Sequence, residues 1–294
     1  GNNDTPILGI ISQNGFKYSF QPVVPFSPGH TYLVYNNAEL VDTFTIKMNE
    51  DIVLPELIAI YPTSDTVPEN LLKMYFEFSK PMQKVGNALE YITVVDDTSG
   101  EEVDVFLELS TELWNKEHTR LTLWLDPGRI KTDLIPNKKL GLPILNGHSY
   151  RLTISPEWKD HEGNPLVTSY EKQFSVTDRD SKQPEVNTWT IEATPDQLKI
   201  HFHESMDAIL AKETFSIHRR NGKTISGEFK LTQNEQGLHF YPEQPFLPGE
   251  YRFKVASKLE DLAGNNLNHL FDQDLKKEDD RDTSEFKTRS FTID

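Results

Sequence analysis

The chain contains no cysteine in 294 residues. A disulfide, a thiolate nucleophile and any zinc site built on thiolates are therefore excluded. No hydrophobic run comes near the roughly 20 residues that a membrane-spanning helix needs. Positive charge is scarce: 30 Lys and Arg stand against 46 Asp and Glu, a net charge of −16. Phosphate backbones and anionic lipids are held by clustered cations, so neither nucleic acid nor charge-driven membrane docking is expected. The acidic excess reads instead as a solvated surface. Catalytic signatures are missing too. There is no Gly-x-Ser-x-Gly elbow, no His-Glu-x-x-His, no phosphate-cradling Gly-rich loop and no dinucleotide fingerprint. Among the acids no spacing singles out a pair suited to glycoside hydrolysis.

What the chain does have is a stretch written twice. One copy runs Leu247-Pro-Gly-Glu-Tyr-Arg-Phe-Lys-Val and ends in Asp261-Leu-Ala-Gly-Asn-Asn-Leu267. The other runs Leu145-Asn-Gly-His-Ser-Tyr-Arg-Leu-Thr-Ile and ends in Asp160-His-Glu-Gly-Asn-Pro-Leu166. Tyr, Phe and Val, or Tyr, Leu and Ile, alternate at period two, which predicts strands with one face in a core. Gly and Asn tolerate positive φ and Asp bonds a backbone N–H two residues on, so each Asp-x-x-Gly-Asn predicts a turn. Upstream, Leu72, Met74, Phe76 and Phe78 alternate into Ser79-Lys-Pro-Met82, and Leu198, Ile200 and Phe202 into His203-Glu-Ser-Met206. Both copies thus carry Phe-x-x-x-Met at the end of an early strand. Units of this size with many short strands predict a seven-stranded antiparallel sandwich each.

These signatures resemble the bacterial Ig-like domain of the S-layer SbsA type, over roughly residues 53 to 294. The chain further resembles secreted or lipid-anchored bacterial proteins. The resemblance implies an all-β fold of tandem Ig-like antiparallel β-sandwiches and a cell-envelope or extracellular location, periplasmic or on a surface lipoprotein. It carries no catalytic residue over. The start at Gly1-Asn-Asn-Asp-Thr, without Met, leads us to expect a processed leader, with a lipid-anchor cysteine upstream.

The expected division is a partial N-terminal β segment over 1–52 packing on the next domain, a first sandwich over 53–178 and a second over 179–294. Phe20-Gln-Pro-Val-Val-Pro-Phe-Ser-Pro-Gly29 lines up with Phe240-Tyr-Pro-Glu-Gln-Pro-Phe-Leu-Pro-Gly249, so the N-terminal segment reads as part of the same unit. It has too few strands for a sandwich of its own and is expected to lean on the first sandwich or complete a small sheet with it. Thr177–Pro184 is the linker. Asp207–Lys212 predicts a helical turn, Asn221-Gly222 a hairpin, Lys131–Leu145 a long connection and Phe286–Ile293 the last strand.

Three constellations bear on function. Trp124 alternates out of phase with Leu121, Leu123 and Leu125, so it faces away from the core. With Trp114, Arg129 and Lys131 it offers an aromatic and cationic platform for a glycan or peptide; cover by the N-terminal segment or the long connection is the plainer reading. Acids after Leu270, among them Asp272, Asp274 and Asp279, offer oxygen ligands for calcium without the EF-hand spacing, so a solvated loop is preferred. His201 and His203 share one strand face, where exposure is the plainer reading than a metal. No cofactor is expected. The leading functional reading is a non-enzymatic cell-envelope protein whose Ig-like modules act as scaffold or adhesion units presenting loops to a protein or glycan, as a monomer. The alternatives are a carbohydrate-binding module using an exposed Trp and an accessory region of a hydrolase.

Overall fold

The computed structural model describes residues 6–47, 52–132, 134–272 and 283–294. Residues 6–47 form two hairpins. β1 (Gly9–Asn14) pairs with β2 (Lys17–Pro22), and β3 (Thr31–Asn36) with β4 (Glu39–Thr45). The two remain separate two-stranded sheets, so this segment lends no strand to the sandwich that follows. Of the two expectations for it, completion of a shared sheet is not what forms.

The next unit contains β5 (Leu57–Tyr61), β6 (Thr66–Pro68), β7 (Lys73–Phe78), β8 (Ile92–Asp96), β9 (Glu101–Glu102), β10 (Leu113–Trp114) and β11 (Arg120–Trp124). Two short helices, α1 (Pro127–Ile130) and α2 (Ile135–Leu140), occupy the long connection before β12 (Ser149–Ile154) and β13 (Tyr170–Thr177). One sheet is ordered β10-β11-β7-β5, the other β6-β13-β12-β8-β9. Period-two alternation puts Met74, Phe76 and Phe78 of β7 and Tyr150, Leu152 and Ile154 of β12 in one core, with Trp158 between the sheets.

The last unit contains β14 (Thr190–Thr194), β15 (Gln197–His201), α3 (Ala208–Glu213), β16 (Phe215–Arg219), β17 (Thr224–Ile225), β18 (Gly227–Leu231), β19 (Gly237–Pro242), β20 (Gly249–Ala256) and β21 (Phe286–Ile293). Its sheets are β14-β15-β19-β18 and β17-β16-β20-β21. Leu198, Ile200, Phe202, Tyr251, Phe253 and Val255 fill a second core around Trp189. Asn221-Gly222 turns β16 into β17 as its hairpin signal predicts, with Ile217 opposite Ile225.

The chain is therefore all-β, built of tandem Ig-like sandwiches, with one correction to the strand count. Among the described residues the two units hold nine and eight strands rather than seven, and β6 runs parallel to β13. A three-residue strand has no periodicity to read, and its pairing is fixed only by where β13 lies.

The fold also explains why the two signatures travel together. Met82 bridges Asp160 and Met206 bridges Asp261, each methionine fully buried. The strand end carrying Met and the turn carrying Asp are one contact. In each turn the Asp carboxylate accepts the backbone N–H of the Asn four residues on, at 2.8 Å from Asn164 and 2.9 Å from Asn265, and that Asn side chain as well. A buried carboxylate is tolerated because the turn's own N–H groups surround it.

Candidate functional site

The outer face of the β11-β7-β5 sheet is partly closed off from water. Tyr61, Lys73, Tyr75 and Trp124 lie there, and α3 and the Asp261 turn of the second sandwich cover it. Tyr75, on the side of β7 opposite Phe76, is only 8% exposed. Its hydroxyl donates to Asp207 at 2.7 Å. Lys73 Nζ lies 2.9 Å from Asp207 and 2.7 Å from Glu260, and 5.6 Å from the centre of the Trp124 ring. Burial pulls the Lys73 ammonium down, but Asp207 and Glu260 outweigh it and hold the group above the ordinary lysine value. Burial, then the Asp207 charge, drives the Tyr75 phenol strongly upward, so it stays a donor. The void left between Tyr75, Asp207 and Leu262 is only about 10 Å³.

Further contacts ring this centre. Leu72 N–H donates to Leu262 C=O at 2.9 Å, and Leu262 and Phe271 pack on the first core. Gly264 has φ +81°, and a Cβ there would sit 2.3 Å from Leu72, so the approach requires glycine. The buried Glu235 carboxylate accepts the Thr63 hydroxyl at 2.7 Å and the Thr63 N–H at 3.0 Å. Burial raises its pKa against the effect of those bonds. Asn70 and Asp180 exchange two hydrogen bonds.

Beside this centre lies a polar recess of about 420 Å³, lined in part by Asp180, Lys182, Glu204 and Ser205. Among the described residues, one group of three ligand-type side chains converges: carboxylate oxygens of Asp180, Glu204 and Asp261 lie within 4.8 Å of one another. Sequence reading did not single these out, because they come from the linker, the end of β15 and a turn. Burial, then the Asp180 charge, pushes Glu204 up to about 7; burial, again with Asp180, pushes Asp261 up to about 8. Oxygen donors of this kind suit Ca²⁺ or Mg²⁺, but calcium takes six to eight of them. Asp261 already spends its oxygens on Ala263 and Asn265, as Asp160 does on Glu162 and Asn164. Asp180 likewise accepts the Lys182 N–H. The geometry is that of a structural turn whose acids are committed to the chain's own N–H groups.

The residues singled out for a binding platform do not converge. Trp114 lies opposite Leu121 and faces the core, packing on Phe78 and Trp158, with its N–H donating to Glu112 at 2.8 Å. Trp124, on the opposite face, lies at the junction under Lys73. It is half-buried and stands opposite Lys73 of β7. The Arg129 guanidinium donates to the carbonyls of Asp104, Gly141 and Leu142 and so ties α1 to the loop after α2. Lys131 lies 4.4 Å over Phe271. Asp272, one calcium candidate, accepts from Thr132 and from Arg179 at 2.6 Å, a further lock across the junction. Asp274 and Asp279 lie outside the described residues. His201 and His203 are exposed, with rings 4.5 Å apart, and His203 meets the Thr190 hydroxyl at 2.8 Å.

The fold and the junction define the class: tandem Ig-like β-sandwiches locked face to turn. No protein-family model matches the chain. No curated protein matches it either. Among solved structures it is similar to the S-layer protein rSbsC(31-844), at 14% identity over 69% of this chain and 23% of that one, with a TM-score of 0.29. It is similar to the MG0-NIE-MG1 domains of Escherichia coli alpha-2-macroglobulin, at 12% identity over 82% of this chain and 71% of that one, with a TM-score of 0.28. A third is the Bacteroides ovatus mixed-linkage glucan locus protein SGBP-B in complex with a heptasaccharide, at 13% identity over 86% and 49%, with a TM-score of 0.22. The chain spans 23%, 24% and 44% of three S-layer chains it is similar to. Among the described residues no helix is long and apolar enough to cross a membrane.

Proposed function

We propose that this chain is a rigid, non-enzymatic spacer of the SbsA-like kind in a bacterial cell-envelope protein, holding what lies beyond each end at a fixed distance and angle. The observation that carries the reading is the buried junction. Inter-domain interfaces that are small and wet allow hinge motion. Here a lysine, a tyrosine and two carboxylates are desolvated together, and leucine and phenylalanine from one sandwich complete the core of the other. Moving the sandwiches apart would expose the apolar contacts of Leu262 and Phe271 to water and break the Tyr75–Asp207 and Thr63–Glu235 hydrogen bonds. The repetition of one unit, the acidic surface and turn acids that are already hydrogen-bonded support scaffold work over catalysis. The hairpins of residues 6–47 add to the array on its N-terminal side, and loops at the ends of the sandwiches are the surfaces left for a protein or glycan.

The absence of cysteine makes the test clean. Spin labels at Lys116→Cys and Asn221→Cys, both on exposed turns of different sandwiches, should give one narrow distance distribution by double electron–electron resonance. A broad or bimodal distribution would sink the spacer reading. Unchanged turnover of glycoside, ester and peptide probes in wild type and Glu204→Gln, at buffer background, is the companion result; turnover lost in the variant would establish an enzyme instead.

A further inference from the structure

We propose that residues 6–47 are the second half of a third Ig-like sandwich, and that their inner edges and apolar face receive the missing first-half strands from the polypeptide directly N-terminal to them. The case rests on side chains, not on strand count. Phe20, Phe26, Tyr32 and Phe44 form a ring cluster with centroid distances of 6.1, 4.6, 5.2 and 5.5 Å for the pairs 20–26, 26–32, 26–44 and 32–44. In the second sandwich Phe240, Phe246, Tyr251 and Phe291 form the same cluster at 6.0, 4.9, 5.9 and 5.6 Å. The last pair is stacked in both, at 26° and 18°.

Two further details coincide. The Tyr32 hydroxyl accepts the Ser27 N–H at 2.7 Å, as the Tyr251 hydroxyl accepts Leu247 N–H at 3.1 Å and Tyr150 accepts Leu145 N–H at 3.0 Å. A Cβ on Gly9 would lie 2.4 Å from the Phe20 ring, and one on Gly227 would lie 2.5 Å from the Phe240 ring. Thus β1, β2, β3 and β4 stand where β18, β19, β20 and β21 stand.

The second sandwich shows what covers those positions. There β19 pairs with β15, which places Leu198 opposite Phe240, and β20 pairs with β16, which places Ile217 opposite Phe253. In the N-terminal segment the corresponding edges of β2 and β3 pair with no strand among the described residues. Ile11 and Tyr18 are 70% and 67% exposed, where their counterparts Phe229 and Leu238 are half-buried and fully buried. An open strand edge beside exposed apolar side chains is a template for another strand. Chain order identifies the occupant. In both complete units the strands that supply this cover lie immediately before the half they complete. A second copy of the chain is a poor donor, because its β15 and β16 are buried in their own core.

Amide hydrogen exchange tests this on the 294-residue chain and on a chain extended by whatever residues are encoded directly upstream of Gly1. In the shorter chain, amides of β2 and β3 should exchange at least about tenfold faster than those of β19 and β20, and in the longer one they should slow by at least about tenfold. Three results would overturn the proposal. One is an extended chain in which β2 and β3 stay unprotected. Another is a monomeric 294-residue chain in which they are already as protected as β19 and β20. The third is protection that appears only on self-association, which would make a second copy the occupant. None of these bears on the junction, so the spacer reading stands or falls separately.

Discussion

At the residue scale, the Asp207 carboxylate meets Lys73, accepts the Tyr75 hydroxyl and caps α3 through the N–H groups of Ile209 and Leu210. Asp207→Ala leaves Lys73 buried against Glu260 alone, so it should cost about 3–5 kcal/mol in urea unfolding. Tyr75→Phe removes one hydrogen bond and should cost about 1 kcal/mol. Glu204 behaves differently. Its pKa and that of Asp261 are raised in the folded state, so the native protein holds protons that the unfolded chain releases. The sign follows: their contribution is full below the ordinary carboxylate range and is lost as pH rises through about 7 and about 8. Thermal unfolding from pH 5 to 9 should therefore show stability falling with pH, with a flatter profile in Glu204→Gln. An unchanged slope in that variant would mean that Glu204 does not hold its proton in the folded state as described.

At the scale of elements, the Phe-x-x-x-Met strand end and the Asp turn are a single device. Met82 and Met206 sit at zero exposure, each bridging its own turn. Met206→Ala should leave a cavity and cost about 2–5 kcal/mol, measured by calorimetry. Much of this level was legible in sequence. Alternation located β7, β12, β15 and β20, because a half-buried strand must show period two. Gly and Asn located the turns, and Asp207 located α3. β6 was not legible, because three residues carry no period, and α2 was hidden in a connection that has Pro136 and Gly141 at its ends.

At the scale of the whole molecule, the junction couples two cores that are separate in sequence. Leu262 and Phe271 belong to the second sandwich but pack on the first core. Wild type should unfold in one chemical-denaturation transition, and Leu262→Ala should split it into two, followed by Trp fluorescence, since Trp158 reports the first core and Trp189 the second. A single transition in the variant would mean the coupling lies elsewhere. By itself the sequence determined the all-β class, the repeat and the turn chemistry, because these follow from local periodicity and backbone preference. It also sorted β7 and β11 into inner and outer faces. Only the tertiary structure decided what the outer faces do. Lys73 and Tyr75 are spaced as surface residues, and they are covered because Asp207 and Glu260 of the second sandwich lie on them. Asp180, Glu204 and Asp261 come together across 81 residues of chain for the same reason. Contacts between units depend on how two finished folds meet, and no local pattern in the chain records that.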